Sequence, residues 1–259
     1  MLKIQLFLVA VVLASVAVTS SAQEPAATDP LAIGGKDTAW FMSRVGRPDT
    51  DSEPQAPFKI MGNVYYVGSN NISSILVATP MGHILIDTGY GNKMAEKNRC
   101  IYGMSGTTIV DSLAAIGVKA ADIDLVILSH LHFDHAGGST KYDSHGSLIP
   151  AFPNAVYYVS QRNWEAGINP SPRDSASYLD INYLLLQETG KLKLLPENTE
   201  ILDGVSTYIV NGHTNGQQLI KIESDGEVIV FCSDLIPLRS HLKLPWIMGY
   251  DLNASLTLK

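Results

Sequence analysis

The stretch IDLVILSHLHFDHAGG, residues 123–138, restricts the fold more than any other part of this chain. An apolar run of strand length, from Ile123 to Ser129, belongs inside a core. It runs straight into three histidines and one aspartate between His130 and His135. The fold must therefore end a buried strand where several imidazoles are useful together. A surface patch or a satisfied core imidazole would explain one histidine, but not three with an aspartate. A divalent ion explains the set, because it takes neutral imidazole nitrogens and carboxylate oxygens in tetrahedral or five-coordinate shells. His130 and His132 are two apart, so on an extended segment they point to one side and grip one ion. Asp134 and His135 come after the turn, at the start of a helix, and are placed for a second ion. Ala136, Gly137 and Gly138 are small enough for that turn to pack tightly under the site.

The flanking sequence says what surrounds this strand. NVYYVGS, SSILVATP and GHILIDTG are β-branched or aromatic runs separated by Gly, Asn and Pro, which predicts an antiparallel meander. TTIVDSLAAIGV predicts a helix with Ile109, Val110, Leu113, Ala114 and Ile116 on one face, stopping at Gly117. A second round follows: NAVYYVS as a strand, SQRNWEAG as a short helix, SYLDINYLLLQETG as a helix ended by Gly190, then KLKLL, STYIVNG, QQLIKI and EVIVFCS as strands. Two β-rich halves with helices outside make an α/β fold of the αββα sandwich type. The folded body is expected over 58–259, after a Pro-, Asp-, Ala- and Gly-rich lead-in at 23–57.

Composition narrows the partners. The chain has 259 residues, 46% apolar and 17% charged, with a formal charge of −7. Such a surface repels nucleic acid and anionic membranes, which leaves a small molecule as the expected partner. Residues 1–22 have the form of an export signal: Lys3, an apolar run, then Ser20 and Ala22 at the −3 and −1 positions of a cleavage site. The mature protein is thus expected to be secreted or periplasmic, without stable membrane association. Of the two cysteines, Cys232 closes an apolar strand, so a buried free thiol and a disulfide with Cys100 are both open.

His130, His132, Asp134 and His135 form a His-x-His-x-Asp-His motif, and with it the sequence resembles the metallo-β-lactamase-fold superfamily of hydrolases, from about Asn63 to Tyr250. Other motifs follow in the family's order. HILIDTG carries Asp87, which the resemblance places behind the metal site, orienting a ligand. NGHTNG carries His213, which would complete the first site, and FCSDLIP carries Asp234, which would bridge both ions. The resemblance implies two divalent ions, zinc first with manganese, cobalt or iron as alternatives. They would share a water whose pKa falls towards neutrality, giving hydroxide to attack an acyl or phosphoryl centre. Asp134 would orient that nucleophile and move its proton.

The phrases IPAFPNAVYYVSQRNWEAG and SDLIPLRSHLKLPWIMGYD are similar to the lactonase and organophosphate-hydrolase group, so a lactone, ester or phosphotriester is the expected substrate. Thioesterase and β-lactamase branches stand as alternatives. Trp164, Leu238, Trp246, Ile247 and Met248 are expected either near the mouth or as plain core. The family supplies one more histidine downstream of the bridging aspartate, whereas this chain ends 25 residues after Asp234. The domain is accordingly expected to be incomplete at its C-terminal end, with His241 the one histidine left for the second ion. A catalytically impaired metal-binding protein is therefore a second reading. A third is a mononuclear iron oxygenase using His130, His213 and Asp234.

Overall fold

The computed structural model describes residues 6–7, 55–80, 82–93, 108–243 and 246–259. The strands are β1 (Leu6–Phe7), β2 (Phe58–Met61), β3 (Val64–Tyr66), β4 (Ile75–Thr79), β5 (Gly82–Ile86), β6 (Ile123–Ile127), β7 (Thr140–Tyr142), β8 (Leu148–Pro150), β9 (Val156–Ser160), β10 (Leu192–Leu195), β11 (Thr199–Leu202), β12 (Val205–Val210), β13 (Gln217–Ser224) and β14 (Glu227–Phe231). The helices are α1 (Ile109–Ala115), α2 (Phe133–Ala136), α3 (Gln161–Ile168), α4 (Leu184–Glu188) and α5 (Ala254–Thr257). Apart from the two residues of β1, the expected export signal lies outside the described residues, as does most of the lead-in. So does Cys100.

Seven strands make one sheet in the order β10-β9-β6-β5-β4-β3-β2, parallel from β10 to β5 and antiparallel from there on. The second sheet runs β1-β14-β13-β12-β11, antiparallel except where the two residues of β1 lie alongside β14. Strand alternation shows how the layers form. Ile75, Val77, Ile84 and Ile86 point between the sheets and meet Ile220, Ile222, Ile229 and Phe231 from the second. Their neighbours Leu76 and Leu85 point the other way, into a core with Leu113 of α1, Tyr157 and Tyr183. The register fixes this division, since Leu76 pairs with Leu85 and Ile75 with Ile86. A shift of one residue would turn every one of these side chains to the wrong layer.

Local sequence explains most element ends. Asp111 accepts from the backbone N–H and hydroxyl of Thr108 and starts α1. Ser160 accepts from Asn163 N at 3.0 Å and starts α3. Two expectations are corrected. In α1 the buried residues are Ile109, Ser112 and Leu113, while Ala114 and Ile116 are exposed. Ala114 is off the helical stripe, and Ile116 lies past the last turn. The segment 177–190 is not one helix either. After the 3-10 turn that ends at Ser177 it forms a second at Asp180–Asn182 and then the five residues of α4. The tyrosines explain the break: Tyr178 turns to Thr214 and Tyr183 donates to Gly167 O at 2.9 Å.

Candidate metal centre

β6 delivers its C-terminal end to the rim between the two sheets, and the site is built there. Ser129 comes first. Its N–H donates to Asp87 Oδ1 at 2.6 Å and its hydroxyl to Asp87 Oδ2 at 2.6 Å. That hydroxyl also stands 3.0 Å from His130 Nδ1 and 2.8 Å from Ser233 Oγ. Ser129 has one proton, and the ionised carboxylate takes it. His130 must therefore donate from Nδ1, which leaves its Nε2 as a bare lone pair. Asp87 Oδ2 likewise accepts from His135 Nδ1 at 2.8 Å, which frees His135 Nε2. Both Asp87 (φ 56°) and Ser233 (φ 47°) adopt the left-handed conformation that side chains usually avoid. Strain of this kind survives only where surrounding contacts hold it.

His132 caps α2 at its N-terminus and sits edge-on to the Tyr178 ring, 4.7 Å between centroids. Tyr178 OH lies 2.6 Å from Thr214 Oγ1, beside His213. Asn163, fully buried, accepts from Leu131 N at 2.8 Å and donates to Asn215 O at 2.8 Å. It thus ties the segment carrying His132 to the loop carrying His213. Beneath α2, a side chain at Gly137 would strike the Tyr90 carbonyl, so the turn packs directly on the loop after β5.

Two groups of donor atoms converge here, each within 4.8 Å: His130, His132 and His213, and His130, His135 and Asp234. Asp234 faces both, with Oδ1 3.2 Å from His135 Nε2 and Oδ2 3.6 Å from His213 Nε2. Asp134 Oδ2 stands 3.6 Å from His135 Nε2 and joins neither group. His241, in a 3-10 turn at Arg239–Leu242, also joins neither, and its buried Nδ1 has no partner among the described residues. His83 is half-buried in β5, and its Nδ1 has no hydrogen-bond partner among the described residues.

The donors fit a metal. Nε2 of His130 and His135 are buried and have no hydrogen-bond partner among the described residues, which is costly unless something else fills their lone pairs. His132 Nδ1 and His213 Nε2 stand 3.2 Å apart. Tetrahedral zinc–nitrogen bonds hold two nitrogens about 3.3 Å apart. Two lone pairs cannot face each other so closely without a proton or cation between them, and the third nitrogen from His130 favours the cation. Burial, then the neighbouring imidazoles, hold His130 well below the ordinary histidine value and His132 down to about 3, so both are neutral donors. Burial also disfavours charge on His135, yet Asp234 and then Asp134 outweigh it and hold its pKa well above the usual value. Asp234 is the converse, with burial outweighed chiefly by His135 and its carboxyl held well below the ordinary range. Asp134 is raised, first by burial and further by Asp234.

Beside the second group, a small solvent-open cleft is lined by Ile72, Ser73, Ile236, Pro237, His135 and Asp234, among others. None of the residues expected at the mouth lines it. Trp164 packs on Tyr183 in the helix-side core, Leu238 and Trp246 are exposed, and Ile247 and Met248 are half-buried. Cys232, buried just before Ser233, is a free thiol that burial pushes up to about 11. Ser129, Ser233, Asn163 and Asp251 were not singled out by the sequence. Only the position of Ser129 directly before the first histidine offers a signal.

Comparison with known proteins identifies the family. The sequence profile described as the metallo-beta-lactamase superfamily matches residues 67–258. An N-acyl homoserine lactonase of Bacillus sp is 29% identical over 174 residues, 60% of this chain and 60% of that protein. The N-acyl homoserine lactonase AttM of Azorhizobium caulinodans is 30% identical over 175 residues, 60% of this chain and 61% of that one. The chain thus spans about 60% of the length of these curated relatives. Among solved structures, a probable metal-dependent hydrolase from Staphylococcus aureus has a TM-score of 0.65 at 31% identity, covering 72% of this chain and 66% of that one. The dizinc quorum-quenching lactonase AidC shares the fold, with a TM-score of 0.61 at 22% identity over 81% of this chain and 84% of its own.

Proposed function

This chain belongs to the metallo-beta-lactamase superfamily, and from that premise we propose that it is a dinuclear metal-dependent hydrolase acting on a lactone or a related ester. The observation that carries the proposal is the pair of donor groups sharing His130, with Asp234 facing both. His130, His132 and His213 would hold the first ion, and His135 with Asp234 the second. Zinc suits this set of imidazoles and carboxylate. When bound, such ions polarise a carbonyl oxygen and bring the pKa of water near neutrality.

The protein's own groups supply the rest. Asp87 and Ser129 fix the protons of His135 and His130 on Nδ1, so both rings present Nε2 as an acceptor. Asp134, whose hold on a proton is raised by burial, is positioned beside His135 to take a proton from the nucleophile and pass it to a leaving alkoxide. Ile72, Ile236 and Pro237 give the cleft an apolar wall that would receive an acyl arm next to the reacting group. The lactonase activity named for the curated relatives supports this choice of substrate. The N-terminal apolar run supports an exported enzyme.

A second reading is a protein that holds one ion firmly and turns over poorly. It is favoured by the second group, whose third nitrogen, His130 Nε2, also belongs to the first group, while Asp134 joins neither. Elemental analysis of protein purified without added metal decides between the readings. Two ions per chain, with hydrolysis of an N-acyl homoserine lactone that stops on chelation, is expected. One ion and no turnover would select the second reading, and no bound metal with no turnover would refute both.

A further inference from the structure

We infer that Asp251, steadied by Thr257, is a positioning residue for His213, so that the segment 251–257 sets how firmly the first ion is held. This rests on the reading of His213 as a ligand. The Asp251 side chain is 1% exposed. Its Oδ1 accepts from His213 Nδ1 at 3.2 Å, and its Oδ2 accepts from the Thr257 hydroxyl at 2.7 Å. A carboxylate only accepts, so His213 must carry its proton on Nδ1. Nε2 is then left as a lone pair, turned towards His132 Nδ1 and Asp234 Oδ2.

The backbone holds the same arrangement. Leu252 N donates to His213 O at 3.0 Å, and Asn253 N donates to Gly212 O at 2.9 Å. Asn253 then accepts from Leu256 N and starts α5, the helix that carries Thr257. Thr257 lies so close to Gly212 that a side chain at 212 would strike it. The main chain of His213, its ring and the carboxylate behind that ring are thus all fixed by one short segment. A carboxylate in this position orients a ligating imidazole and raises its basicity, and losing it typically weakens metal binding by one to two decades.

The test is a zinc titration of the full chain against a chromophoric chelator, for wild type and for D251A, D251N and T257V. D251A should weaken the tighter site by about 10- to 100-fold. D251N, which keeps an acceptor oxygen, should lose less, and T257V should lose least. The absorption spectrum of the cobalt-substituted protein should change in the same order. Melting of the metal-free protein is followed in parallel. A fall in melting temperature with unchanged zinc affinity would make the role purely structural and overturn the inference. If D251A does not fold, D251N and T257V decide: wild-type zinc affinity in both sinks the inference. A wild-type chain that binds no zinc would instead refute the metal-centre reading on which it rests.

Discussion

Asp87 offers the sharpest test of how the site is organised, because one fully buried carboxylate serves three donors. Asp87→Ala leaves the Ser129 N–H without an acceptor and the His135 Nδ1–H with only Ser233 Oγ at 3.3 Å, at about 1–3 kcal/mol each. Alanine at φ 56° adds about 1–2 kcal/mol of backbone strain. Relief from burying a charge offsets part of this, so a net loss of about 3–5 kcal/mol is expected, the usual cost of removing one partner from a buried charged network. Asp87→Asn separates the causes. Asparagine tolerates the left-handed backbone and keeps an oxygen for Ser129 N, but turns an NH₂ group towards groups that were themselves donating. It should cost less stability, about 1–3 kcal/mol, and still weaken zinc binding by about 10- to 100-fold. Urea unfolding of the metal-free protein gives the first number and chelator competition the second. Asp87→Asn with wild-type zinc affinity would show that the carboxylate does not set the ligand protons, and the reasoning would fail.

His130 has one free lone pair, on Nε2, and it serves the first ion, so His130→Ala should release that ion and abolish turnover; elemental analysis showing full metal content would contradict its role as a ligand. Acid should remove the ions in order. His130 and His132 are held below the usual value and meet no competition from protons near neutrality, whereas the raised pKa of His135 means a proton competes there first. As the pH falls the second ion should therefore weaken before the first, read by metal content after dialysis at each pH. Asn163→Leu unpairs Leu131 N and Asn215 O and should cost about 1–3 kcal/mol for each, seen as a lower urea midpoint.

The sequence displays what is local and hides what is long-range. The apolar run of β6, the histidines after it and the alternation in β4 and β5 are visible because each follows from neighbours in the chain. The hairpin β7–β8 and the strand β11 are short and weakly patterned, and only pairing reveals them. Helical periodicity over 177–190 misleads because Tyr178 and Tyr183 find polar partners elsewhere in the core, which outweighs local propensity. The supports of the site are harder still. Ser233 reaches Ser129 across 104 positions, and Asp251 reaches His213 across 38. An isolated serine or aspartate carries no spacing signal for such a contact. His241 is close to the last strand in sequence, yet among the described residues it stands outside both groups.

The division of the site between the two sheets has a thermodynamic consequence. His130, His132 and His135 follow β6 of the first sheet, while His213 follows β12 and Asp234 follows β14 of the second. Their convergence depends on the sheets docking through the Ile84, Ile86, Ile220 and Phe231 layer. Buried polar links then set the register at the rim. Gln218 N donates to Ser129 O at 2.8 Å and Gln218 Nε2 to Leu128 O at 2.9 Å, beside the Ser129–Ser233 contact. An unfolded chain has no such convergence, so ions held by both sheets bind the folded state selectively. At a hundredfold excess over its dissociation constant, one such ion adds about 2.7 kcal/mol to stability. Each ion would therefore act as a clamp between the layers as well as a reactant's partner. Any substitution that lets the sheets slide should weaken metal binding, even when it touches no ligand.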